Sequence, residues 1–176
     1  DVAFDVIGDI VLSAASQQYG GFTVPSVDLI LEPYARKSYE RDLKKYIDLG
    51  VPQDKAEEVA YKDVVKEMEQ GFQGWEYKFN TVASSRGDYP FITVTAGTGT
   101  GRFAKLATMS MLNVRREGQG KEGFRKPVLF PKIVFLYDKE IHGPGKCCED
   151  IFEAGVECSS KTMYPDWLSM SGAGYI

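Results

Sequence analysis

Phe91-Ile92-Thr93-Val94-Thr95, followed by Gly97-Thr98-Gly99-Thr100-Gly101, decides the architecture of this chain. The first five residues are mostly β-branched or aromatic, the side chains that pack best on a pleated surface, and they predict a strand. The alternating glycines end it, and a helix is predicted from about Arg102 to Arg116. A basic, glycine-rich loop with Gly118, Gly120 and Gly123 leads to a second predicted strand, Lys132 to Tyr137, whose Ile133-Val134-Phe135-Leu136 run suits burial on both faces. Strand, helix and strand in that order fit a right-handed parallel crossover. Two strands alone make a poor sheet, so further strands are expected to be supplied from outside these residues. After a loop at His142-Gly143-Pro144-Gly145, a last helix is predicted from about Glu149 to Ser160.

Upstream the pattern is helical. Residues 2 to 18 place Phe4, Ile7, Val11, Ala14 and Gln18 on one side, with Val6 and Ile10 widening the stripe, and Gly20-Gly21 ends the helix. Ser26 is a plausible cap for a second helix from about Val27 to Asp48, with a kink or restart expected at Pro33. That helix mixes apolar residues with a basic face of Arg36, Lys37, Arg41, Lys44 and Lys45. The third begins at Pro52, repeats Ala60, Val64, Met68, Phe72, Trp75 and Phe79, and can reach Ala83, a rod of roughly 45 Å with Gly71 and Gly74 as its weak points. Its aromatic stripe is expected to need more core than the chain supplies.

Composition narrows the function. The 176 residues are 43% hydrophobic and 26% charged, as in ordinary single-domain globular proteins. No apolar run approaches a membrane span, and the start lacks a basic signal-peptide region, so the chain reads as cytosolic. A net charge of -4 with dispersed Lys and Arg argues against polymer nucleic acid and leaves a single nucleotide open. Cys147, Cys148 and Cys158 are odd in number and contain a vicinal pair, which favours reduced thiols. With His142 the only histidine and no paired C-x-x-C spacing, no metal site is expected.

The candidate chemistry has bland competitors. A glycine loop between strand and helix can present N–H groups to phosphate, and Arg102 keeps that reading open. Glycines at 97, 99 and 101, with Arg102 where a dinucleotide fingerprint needs glycine and no Walker lysine, favour a tight structural turn. Arg86-Gly87-Asp88 is read as a turn, not an adhesion motif. Asn80, Thr81, Ser84, Ser85 and Arg86 gather where the long helix meets the first strand, where spacing alone favours capping and turn hydrogen bonding over ligand binding. His142 is expected to be an exposed loop residue, and Cys158 a buried structural thiol.

Four ordered segments carry a resemblance: SQQYGGFTVPSVDLILEPYARKSY, FQGWEYKFNTVASSRGDYPFITVTAGTGT, VLFPKIVF and DIFEAGVECSSKTMYPD. Together they resemble the large subunit of anaerobic (class III) ribonucleotide reductase, a glycyl-radical family. The resemblance implies an α/β fold, a fragment of a ten-stranded barrel made of two five-stranded halves, helix-rich here with few parallel strands. It makes residues 1–176 a single partial barrel domain, helical over 1–83 and strand-helix-strand-helix over 84–176. It also implies that ribonucleoside triphosphates are reduced to deoxyribonucleoside triphosphates through a glycyl radical and a thiyl cysteine, with formate or a thiol as reductant and a radical-SAM iron-sulfur enzyme as activase. Both active-site cysteines of the family fall outside these residues, as do its ATP-cone and zinc module. Cys147, Cys148 and Cys158 therefore inherit no radical role, and no catalytic residue or cofactor is assigned within the chain.

Two sets of residues are implied to bind nucleotide. Asn80, Ser84, Ser85, Arg86 and Phe91 would line the substrate pocket. Asp9, Ser13, Arg41, Lys44 and Lys45 would lie near a deoxynucleotide effector held by a helix that pairs across a homodimer. A stand-alone nucleotide-sensing or dimerisation module that has lost the chemistry is the alternative, and a formate-lyase relative is disfavoured because its motifs do not match VLFPKIVF or ECSSKTMYPD.

Overall fold

Parallel pairing dominates the computed structural model, which describes residues 2–82 and 90–171. The elements are α1 (Val2–Gln17), β1 (Phe22–Val24), α2 (Val27–Asp48), α3 (Gln53–Thr81), β2 (Ile92–Ala96), α4 (Arg102–Glu117), β3 (Lys132–Tyr137), α5 (Lys139–His142), α6 (Glu149–Thr162) and β4 (Asp166–Ser169). The four strands form one sheet in the order β1-β2-β3-β4, every neighbouring pair parallel. Each return to the sheet is made through helix, as parallel strands require.

The strand-helix-strand core lies where its sequence predicts, but two further strands of this same chain join it, a correction to the expectation that the chain carries only two. β1 and β4, of 3 and 4 residues, are too short to leave a periodic signal, and they flank the predicted pair. β3 buries Ile133, Phe135 and Leu136 while Val134 is only half-buried, so its cover is fuller on one face than its apolar run suggests.

α3 is the spine. Ala60, Val64, Met68, Phe72, Trp75 and Phe79 are all buried, and the cover comes from α1, α2, α4 and the sheet within this chain, contrary to the expectation of missing core. Gly71 is a docking point: a Cβ there would overlap the Phe4 ring of α1. Phe4 meets Phe72 and Trp75 edge-on with centroids 5.0 and 4.9 Å apart, and Trp75 Nε1 donates to Phe4 O at 2.7 Å. α1 therefore buries Phe4, Gly8, Val11 and Ala15, while Val6 and Ile10 point outward with Val2. The proposed widening of the stripe is corrected: those residues form a second, exposed apolar face.

α2 runs unbroken through Pro33, with no restart. Ser26 precedes it in the left-handed region, φ 46°, and makes no side-chain cap; its N–H instead donates to Thr95 Oγ1 of β2 at 2.8 Å. A second, smaller core of Leu112, Phe135, Cys148, Ile151 and Cys158 lies under α6. No helix among the described residues is long and apolar enough to cross a membrane.

Candidate functional site

The amino ends of the strands carry the first cluster. Asn80, in the last turn of α3, donates from Nδ2 to Phe130 O and to Glu76 O, both at 2.6 Å, and accepts from Phe130 N at 3.2 Å. It clamps the chain just before β3. Phe91, 52% exposed, lies edge-on to Phe130 with centroids 5.2 Å apart, and its carbonyl accepts from Phe22 N at 2.9 Å. Asn80, Phe91 and Phe130 thus form a half-open aromatic and amide surface. Ser84, Ser85 and Arg86 lie outside the described residues.

Beneath this surface is a polar group that the sequence analysis missed. Arg115 of α4 is fully buried; its Nε donates to Glu76 Oε1 and its Nη2 to Pro131 O, each at 2.7 Å. Gln119 Nε2 donates to the other Glu76 oxygen at 2.9 Å, and the guanidinium lies 5.3 Å from the Tyr164 ring centroid. Spacing held the signal: Arg115 follows Met111 by four positions, so it lies on the buried stripe of α4.

The carboxyl ends carry the second cluster. Asp28, near the start of α2, is fully buried, and its Oδ2 accepts from Gly97 N at 3.1 Å and Gly99 N at 2.8 Å. A protein carboxylate therefore takes the N–H groups that a phosphate would need, which supports the structural-turn reading. The turn is tight: Gly97 sits at φ +122°, and a Cβ on Gly99 would overlap Ala104. Arg102 stacks instead on Tyr61, 4.2 Å from the ring centroid.

His142 corrects its expectation. It is 1% exposed, closes the one-turn helix α5 and packs on Phe135. Asp138 N–H donates to its Nδ1 at 3.0 Å, so Nε2 carries the proton and donates to Gly97 O at 2.8 Å. Burial holds its pKa below the ordinary value, against the opposing pull of the Gly97 and Asp138 carbonyl oxygens beside the ring nitrogens.

Two of the three thiols, Cys148 and Cys158, are buried. Burial raises the pKa of Cys158 and, with the neighbouring Cys147, pushes Cys148 up to about 11. Among the described residues no group of three or more His, Cys, Asp or Glu could hold a metal ion.

The proposed effector residues are not gathered in one place within the chain. Asp9 pairs with Lys78 of α3 at 2.7 Å, and Ser13 is exposed one turn further along α1. Arg41 pairs with Asp42 at 2.8 Å and Glu67 at 2.9 Å, which raises its pKa. Glu67 and Lys78 are eleven positions apart on α3, so the two groups are separated by about 16 Å along that helix. Lys44 and Lys45 are exposed on α2. Arg41 does border a cavity of about 460 Å³ between the start of α1, α2 and α3, floored by Leu31 and Met68 and rimmed by Tyr34, Lys37 and Ser38.

Comparison with known sequences adds the last observation. The family described as anaerobic ribonucleoside-triphosphate reductase matches residues 1–175. Proteins of that name are 38% identical in Haemophilus influenzae and 37% in Escherichia coli K12, each over 93% of this chain, and 33% in Enterobacteria phage T4 over 96%. The chain spans only 23% of the two bacterial relatives and 27% of the phage relative.

Proposed function

This chain belongs to the anaerobic ribonucleoside-triphosphate reductase family, and from that premise we propose that it is the central part of an enzyme reducing ribonucleoside triphosphates to deoxyribonucleoside triphosphates for DNA synthesis. The observation that carries this is similarity running through nearly all of the chain, including all four quoted segments, to reductases about four times its length. In this proposal the sheet is one part of the ten-stranded barrel, residues 1–176 form a single partial domain, and the protein is cytoplasmic. The outer edges of β1 and β4, unpaired among the described residues, support continuation of the sheet.

The glycyl radical, installed by a radical-SAM iron-sulfur activase, supplies the hydrogen-abstracting chemistry from residues outside this chain, with formate or a thiol as reductant. What these residues contribute is binding and shape. Phe91 offers an aromatic face to the nucleotide, and Asn80 fixes Phe130 beside it; Ser84, Ser85 and Arg86 follow Asn80 in sequence and complete the proposed substrate set. Val2, Val6 and Ile10, one exposed apolar face of α1, would pair with their copies in a homodimer. Such pairing is what would bring Asp9 and Ser13 of one subunit to the Arg41, Lys44 and Lys45 face of another, around a nucleotide effector.

The test uses the full-length, activated protein under anaerobic conditions with formate and each ribonucleoside triphosphate. Formation of the matching deoxynucleotide is expected, and its absence with all four substrates overturns the proposal. Reversing charge at Arg41 and Lys45 should change how effectors alter substrate choice; an unchanged preference removes those residues from the effector site.

A further inference from the structure

The segments that mark this chain are far apart in sequence and meet at one side chain. Pro131, from VLFPKIVF, accepts the Arg115 Nη2 hydrogen bond at 2.7 Å. Tyr164, from ECSSKTMYPD, lies under the same guanidinium. Glu76 and Asn80, from FQGWEYKFN, supply its counter-ion and the clamp on Phe130. Arg115 itself lies in none of these segments and touches no open surface.

We infer that Arg115, through Glu76 and the Phe130-Pro131 main chain, is a positioning residue that fixes the Phe91–Phe130 surface at the amino ends of the strands. This deepens the substrate-pocket reading above and rests on it. Two successive carbonyls before β3 are each held by a side chain, Phe130 O by Asn80 and Pro131 O by Arg115. That leaves the Phe130 ring little freedom, and Phe91 leans on that ring. Lysine could keep the charge beside Glu76 but lacks the planar fork that serves Glu76 and Pro131 together. The third guanidinium nitrogen, Nη1, is buried with no partner. Arginine is thus retained in a core where a buried ion pair is a poor source of stability, so geometry is the better account of its presence.

The experiment is equilibrium binding of ATP, CTP, GTP and UTP to the full-length, radical-free protein, with thermal unfolding and kcat and KM of the activated enzyme alongside. Arg115→Lys keeps the charge, and Arg115→Met with Glu76→Gln removes it from both sides. Both are expected to weaken substrate binding about tenfold and raise KM in step, with kcat changed less than threefold and effector binding unaltered. Parental substrate affinity in either folded variant overturns the inference. So does failure of both to fold, which would assign Arg115 to the core alone. Phe91→Ala tests the underlying reading separately: unchanged substrate affinity there breaks the pocket reading itself. A loss with Phe91→Ala and none with Arg115→Lys breaks only the role of Arg115.

Discussion

The two ends of the sheet use buried charge in opposite ways. At the carboxyl ends, Asp28 turns the glycine loop inward and accepts its N–H groups, and His142 holds the Gly97 carbonyl from the other side. The Gly97 and Gly99 N–H groups and the Gly97 carbonyl are satisfied within the protein, and a carboxylate stands where a phosphate would need those donors. At the amino ends, Arg115 is paired with Glu76 and, with Asn80, holds the Phe130-Pro131 main chain, while the Phe91 ring remains half exposed. A glycine-rich loop is thus no guide to a ligand when a buried acid lies one helix away.

The largest expected effect breaks the amino-end network. Glu76→Ala strands the Arg115 charge in the core and should cost about 3–5 kcal/mol, read from the urea unfolding midpoint of the full-length protein. A cost below about 1 kcal/mol would mean that the pair is not buried, and the contrast between the two ends would disappear.

Asp28→Ala comes next. It leaves the Gly97 and Gly99 N–H groups without an acceptor, at about 1–3 kcal/mol each when they stay dry. Hydrogen exchange at those two amides should accelerate by at least tenfold, with exchange at Phe130 unchanged. Equal acceleration at both ends would show one cooperative unit, not two independent edges.

The smallest effect is pH-dependent and belongs to the carboxyl end alone. His142 has a folded pKa below its unfolded value of about 6.5, so the unfolded chain binds the proton first. Its contribution to stability is complete above pH 6.5 or so and is lost as pH falls toward the folded pKa. His142→Gln should flatten that acid limb of the unfolding curve; an unchanged limb would assign it to carboxylates.

Much of this was legible in the residues, for physical reasons that can be named. α3 was, because six apolar side chains, from Ala60 to Phe79, recur at helical spacing over about five turns. β2 and β3 were, because β-branched and aromatic residues cluster between glycine-rich breaks. β1 and β4 were not, since three or four residues carry no period, and their pairing is set by neighbours distant in sequence. α2 passes through Pro33 because packing on α3 and α4 outweighs one lost backbone hydrogen bond. Asn80 and Phe91 were grouped by the family resemblance alone, since the Asn80–Phe130 contact that connects them spans fifty positions and no local pattern encodes it. His142 was misread because one histidine among glycines looks exposed, and only the fold shows the Phe135 ring and the Gly97 carbonyl that enclose it.

Gly71 gives α1 its seat, and the consequence is mechanical. The Phe4 ring occupies the space of the absent side chain, while the Trp75 indole grips the Phe4 carbonyl, so ring and main chain are latched at one point. Any side chain at position 71 would claim the space that the ring now fills, so this one glycine sets the spacing of the two helices.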